Sequence, residues 1–271
     1  MCLLVLSWQA HSRYRLVVAA NRDEFHERPA APMAKWPQPL GLLAGRDLRA
    51  NGTWLALDRG RRFGVVTNFR DLQKPQPGAP SRGSLIPRYL GGAASAAAFL
   101  AALEPQAGAY SGFNLLLADR DSLWYASNRT DPLAAAAPAG NSFRRPLAPG
   151  IYGLSNQFLD TPWPKLRRVR RRFEAWLTQL RAQPSTEALF AILDDRTTVD
   201  SEADLPRTGL SAEWERILSA PFVLHPDYGT RCSTVLLLEH TGACVLIERR
   251  FDRQGALSGE SKWELQAGEW P

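Results

Sequence analysis

The sequence predicts an α+β fold built on mainly antiparallel sheets. Strand-like runs come first and in hairpins, helical runs occupy the middle, and strands return at the end. That segregation argues against a βαβ alternation and the parallel sheet it would build. The chain has 271 residues, 45% of them hydrophobic, which suffices for a substantial core in one large domain or two small ones. If the first and last strands share one sheet, residues 1–271 form a single domain.

The elements follow in order. "CLLVLSW" and "YRLVVAAN" are apolar runs flanking the polar turn "QAHSR", a hairpin with buried strands. "ERPAAPMAKWPQP" carries four prolines and reads as an irregular surface loop. "LGLLAG", "GTWLALD" and "RFGVVTNF" are three short strands, the last two joined at "DRGR", where Gly60 can supply a positive φ. After the breaker-rich "LQKPQPGAPSRGS", "SLIPRYL" and "ASAAAFLAAL" read as helices. "GFNLLLAD" and "SLWYASN" form a hairpin turned at Arg120 and Asp121, and residues 131–150 read as a loop. "GIYGLSN" is a strand leading to the longest helix, about Pro164 to Ala182.

That helix places Leu166, Val169, Phe173, Trp176, Leu177 and Leu180 on a core-facing stripe. Lys165, Arg167, Arg168, Arg170, Arg171 and Arg172 form its other, solvated face. No aromatic residue interleaves with these cations and no nucleic-acid motif accompanies them, so no specific nucleic acid is expected. "TEALFAILDD" and "SAEWERILS" are two further helices, followed by the strands "TRCSTVLLLE" and "ACVLIERRFD". A turn centred on Thr241 sets Cys232 opposite Arg250 and Cys244 opposite Leu238, so the two thiols are not cross-strand partners.

Lys plus Arg exceed Asp plus Glu by 33 − 27 = +6, which permits an anionic ligand without demanding one. No apolar stretch approaches the ~20 residues of a bilayer span. The opening lacks the charged leader of a signal peptide or lipid-modified cysteine, and the three cysteines lack metal spacing. A reduced cytoplasmic protein without a metal site is expected. The sequence leaves the oligomeric state open. Phosphate-loop and dinucleotide fingerprints are absent, and the four histidines read as surface residues.

Cys2 is the remaining candidate. Removal of Met1 would give it a free α-amine of reference pKa ~7.7–8.0, so that one residue holds both nucleophile and base. A buried strand cysteine behind a retained Met1 fits the local sequence equally well. "ANRDEF" supplies Asn21, Arg22, Asp23 and Glu24 at the end of the second strand, which the hairpin returns toward residue 2. Strand alternation lets Arg22 face the thiol only if Asn21 and Asp23 point elsewhere, or if the strand bulges. An arginine near the sulfur favours thiolate.

Together "MCLLVLSW", "ANRDEF", "GTWLAL", "VVTNFRD", "YGLSN" and "YGTRCSTVLL" resemble the NRDE-domain family, the family of transport and Golgi organisation 2, over nearly the whole chain. More distantly the pattern is similar to the N-terminal-nucleophile cysteine amidases. That resemblance implies a four-layer αββα sandwich of mainly antiparallel sheets. It implies Cys2 as nucleophile, Arg22 beside it, Asn68 in the oxyanion hole, Asn156 near amine and carbonyl, and Arg231 as support. In those amidases an aspartate follows the arginine by three residues; here that position is Phe25, with Asp23 adjacent to the arginine instead. Asn21, Glu24 and Trp54 are candidate substrate contacts.

The resemblance leaves two functions in contention. One is a hydrolase of non-peptide amides or related acyl substrates, which requires no cofactor. The other is a non-catalytic carrier of haem or of acyl-CoA and other lipids, since the family has been linked to both. No C-x-x-C-H haem motif is present.

Overall fold

Leu3–Trp8 (β1) is buried at every position, as an apolar strand covered on both faces must be. In the computed structural model, which describes residues 3–71, 77–130, 143–179 and 185–271, β1 hairpins into Tyr14–Phe25 (β2), with Leu3 opposite Asn21. The chain divides into two compact units. One takes Met1–Glu27, Pro149–Ser155 and Leu159–Gly268; the other takes Arg28–Ala148, Asn156–Phe158 and Glu269–Pro271.

In the first unit Gly150–Leu154 (β10) pairs with β1 and Tyr228–Glu239 (β11) with β2. Cys244–Phe251 (β12) and Leu257–Leu265 (β13) complete an antiparallel sheet of order β10-β1-β2-β11-β12-β13. The first and last strands of the chain therefore do share a sheet. Cys232 pairs with Arg250 and Cys244 with Leu238, the register expected from a turn at Thr241, and both thiols are buried. Pro164–Thr178 (α3) and Thr186–Leu193 (α4) cover one sheet face. Leu166, Val169, Phe173 and Leu177 of α3 pack there with Leu3, Val5, Val17, Ala19, Val235 and Leu237. Ala212–Ile217 (α5) starts at Ser211, whose hydroxyl accepts from the Trp214 amide.

In the second unit seven strands run in sequence order as an antiparallel meander: Ala30–Lys35 (β3), Leu43–Asp47 (β4), Leu55–Leu57 (β5), Phe63–Asn68 (β6), Phe113–Ala118 (β7), Leu123–Ser127 (β8) and Arg144–Leu147 (β9). Leu85–Leu90 (α1) and Ala96–Leu103 (α2) pack on one face, burying Ile86, Tyr89 and Leu100 against Val66, Leu115 and Leu117. The fold is thus α+β with two antiparallel sheets, and each unit pairs one sheet with a helix layer.

Four local readings change. β3 lies inside the proline-rich stretch read as a loop; it is an edge strand whose ladder breaks between Ala31 and Ala34, which accommodates Pro32. β9, at the other edge, lies in the segment 131–150 read as a loop, of which 131–142 falls outside the described residues. The β5–β6 turn takes its positive φ at Arg61 (60°) rather than at Gly60, with the Arg61 amide donating to the Asp58 carbonyl (3.0 Å). Lys165 is not on the solvated face of α3: it is 2% exposed and its Nζ donates to the Leu218 carbonyl (2.8 Å). Leu180 lies outside the described residues. No helix among the described residues is long and apolar enough to cross a membrane.

Candidate functional site

The end of β2 sorts its polar residues by face. Val17 and Ala19 belong to the cluster beneath α3 and α4, so strand alternation puts Asn21 and Asp23 on that face and Arg22 on the other. Asn21 is fully buried. Its Nδ2 donates to the carbonyls of Leu193 and Pro221, both at 2.9 Å, and its Oδ1 accepts from Ser233 Oγ at 2.6 Å. Asp23 Oδ1 accepts from Thr230 Oγ1 (2.7 Å), and the same oxygen of Thr230 accepts from the Val223 amide (2.9 Å). These two residues therefore tie the strand end to α4 and to residues 221–223.

Arg22 is 3% exposed, with Nη2 3.8 Å from Glu24 Oε2. The ladder from β2 to β11 shifts here: Asp23 pairs with Thr230 and Arg22 with Cys232, leaving Arg231 as the extra residue of a bulge. Bulges re-aim side chains at the end of a ladder. Arg231 Nη1 donates to the carbonyls of Phe25 (3.2 Å) and His26 (3.1 Å). Burial and then the charge of Arg22 lower its pKa, the mark of two guanidiniums held close together. Asn21, Arg22, Asp23, Glu24 and Arg231 thus come together at one end of the first unit's sheet. Phe25, where the amidases carry aspartate, is half exposed, with its ring edge-on to Tyr228 (5.1 Å). Met1 and Cys2 lie outside the described residues; Leu3, the next residue, pairs with Asn21.

One further residue of this sheet, Glu248, was not singled out in the sequence. Glu248 is 1% exposed on β12, opposite Thr234, with Arg250 Nη1 3.9 Å away. Burial first and the Glu248 charge second push the Cys232 thiol well above its ordinary pKa. A buried thiol so placed is inert. The signal for Glu248 was a carboxylate at a core position of the strand alternation, in phase with Leu246.

In the second unit Asn156 is 4% exposed and brackets the end of β6. Its Nδ2 donates to the Asn68 carbonyl (3.0 Å) and its own carbonyl accepts from the Arg70 amide (2.6 Å). Asn68, opposite Phe113, is exposed. Beside them lies a buried network: Asn114 Nδ2 donates to Thr67 Oγ1 (3.2 Å) and to the Gln157 carbonyl (3.0 Å), while the Tyr125 hydroxyl donates to Asn114 Oδ1 (2.7 Å). Trp54 is 6% exposed and lies over Gly45, where any side chain would strike its ring.

The model of the family described as Transport and Golgi organisation 2 matches residues 1–253. The chain belongs to that family. Among curated relatives, the Transport and Golgi organization 2 homolog of Mus musculus is 29% identical and that of Bos taurus 30%, each alignment covering 100% of this chain and 99% of the relative. The Drosophila melanogaster protein is 30% identical over 66% of this chain and 65% of its own length. Among solved structures, the Caenorhabditis elegans N-acylethanolamine-hydrolyzing acid amidase ortholog has a TM-score of 0.49 at 10% identity, covering 87% of this chain and 92% of that one. In this member of the Transport and Golgi organisation 2 family, the Asn-Arg-Asp-Glu run divides its work. Asn21 and Asp23 brace the helix side of the strand end, and Arg22 with Glu24 forms its charged group.

Proposed function

We propose that this protein hydrolyses non-peptide amide bonds with the thiol of Cys2, after removal of Met1. The observation that supports this most is the pair of guanidiniums, Arg22 and Arg231, gathered by the β11 bulge one position beyond the Leu3–Asn21 pair. Positive charge beside a thiol favours thiolate and lowers the cost of nucleophilic attack. The Cys2 sulfur forms a bond to the substrate carbonyl carbon, and the α-amine takes the thiol proton and passes it to the departing nitrogen. The C–N bond breaks, an amine leaves, and a thioester remains on Cys2. Water, deprotonated by the same α-amine, then releases the acid and restores the thiol.

Arg22 and Arg231 stabilise the thiolate, Asp23 (fixed by Thr230) holds the α-amine, and a backbone N–H stabilises the oxyanion. Glu24, beside Arg22, lies at the approach of substrate, while Asn21 serves the site only by bracing the strand end. No cofactor takes part, and the protein acts in the cytoplasm.

The test is a panel of N-acyl amides and thioesters incubated with wild type, Cys2→Ala and Arg22→Gln. Turnover in wild type, none in Cys2→Ala, and slower acylation with a raised pH dependence in Arg22→Gln support the reading. If wild type and Cys2→Ala instead retain haem or acyl-CoA equally and neither turns over any substrate, the protein is a carrier.

A further inference from the structure

The second unit holds a cavity of about 480 Å³ between the β3–β4 connection and α1, independent of the chemistry at Cys2. That volume lies within the ~300–1,000 Å³ of small-molecule sites. Trp36, Pro39, Leu40 and Pro87 supply its apolar wall. The Trp36 indole N–H is already engaged, donating to the Ala44 carbonyl at 3.0 Å, so the residue offers the cavity hydrocarbon rather than a donor.

The polar part of the lining is one-sided. Two guanidiniums, Arg46 and Arg88, face no carboxylate among the described lining residues, and the other polar members, Gln38, Asn51 and Ser84, are neutral. Arg46 stacks on Trp36, its Cζ 5.0 Å from the ring centroid, which fixes the guanidinium plane. Its Nε is shielded from solvent and has no hydrogen-bond partner among the described residues. Arg88 Nη1 donates to the Tyr110 hydroxyl (2.6 Å), a neutral acceptor, so no carboxylate occupies it there. A buried donor without an acceptor is costly, and a planar guanidinium matches a carboxylate in geometry as well as charge.

We propose that this cavity is a binding site for a small carboxylate carried on an aromatic or compact apolar body. The carboxylate meets Arg46 and Arg88 while the apolar body lies against Trp36 and the prolines.

The test uses the full chain and two matched probes, 1-naphthoate and the neutral 1-naphthalenemethanol, titrated by calorimetry. The Trp36 indole N–H resonance is followed in parallel. The expected result is one saturable site for naphthoate that shifts Trp36, with the neutral probe at least about tenfold weaker. Arg46→Gln and Arg88→Gln should each weaken naphthoate about tenfold or more, and Arg46→Lys should recover part of the loss. The comparison of the two probes on the wild-type chain decides the matter whether or not each variant folds. Absence of naphthoate binding, equal affinity for both probes, binding that leaves Trp36 unmoved, or folded glutamine variants that bind as wild type would each overturn it.

Discussion

Replacing Asn21 by leucine keeps the branched outline of the side chain, enlarges it, and removes its hydrogen bonds. Asn21 is fully buried and makes three of them: two donated to the carbonyls of Leu193 and Pro221, and one accepted from Ser233. Each orphaned buried partner costs roughly 1–3 kcal/mol, and the added apolar burial returns part of this, so Asn21→Leu should lose about 3 kcal/mol. Ser233→Ala should lose about 1–2 kcal/mol, because it leaves only the Asn21 oxygen unpaired. The losses should not add: once Asn21 is leucine, Ser233 has no partner to lose, and the double mutant should fall at least about 1 kcal/mol short of the sum. Urea unfolding of the four proteins measures all three quantities. A loss below about 1 kcal/mol in Asn21→Leu, or additivity within about 0.5 kcal/mol, would refute the brace assigned to this residue.

At Asp195, burial raises the carboxyl pKa, but the Thr197 amide and Arg168 outweigh it, so the group titrates below the ordinary 3.8. A depressed carboxylate stabilises above its unfolded pKa and loses that contribution as pH falls through the folded value. Asp195→Asn should therefore lose about 1 kcal/mol at pH 7, after allowance for the partly solvated arginines, and the difference should vanish below both pKa values. Equal loss at both pH values counts against the assignment. Gly45→Ala would set a Cβ 2.3 Å from the Trp54 ring, so its melting temperature should drop by the equivalent of about 1–3 kcal/mol; an unchanged melt contradicts the packing. In Cys2→Ala, the buried thiols Cys232 and Cys244 should ignore Ellman's reagent in the native state and both react in guanidinium. Fast labelling of the native variant refutes their burial.

The sheets were legible wherever apolar alternation and a turn signal coincided. The turn at Thr241 fixed the pairing of β11 with β12 to the residue, because side-chain period two leaves no half-step. β3 and β9 escaped because edge strands tolerate proline and polar residues that read as loop. β13 was overlooked for a related reason: as the edge of its sheet it exposes most of its side chains and has no apolar run. Lys165 misled because its charge outweighed its place, four residues before Val169 on the core stripe; its stem lies inside and only its head needed a carbonyl. At the candidate site the alternation of Asn21, Arg22 and Asp23 was readable from strand geometry. Their partners Ser233 and Thr230 were not, since a pairing across some two hundred residues leaves no local pattern, and nothing in "GTRCS" marks Arg231 as the bulge.

Whether Cys2 is the nucleophile is decided by intact-mass spectrometry before and after exposure to an acyl thioester. The expected product is a chain lighter by Met1 that gains one acyl group, mapped by peptide digestion to Cys2 and absent from Cys2→Ala. A chain that retains Met1, or one that loses it and never carries acyl on Cys2, would rule out Cys2 as the nucleophile.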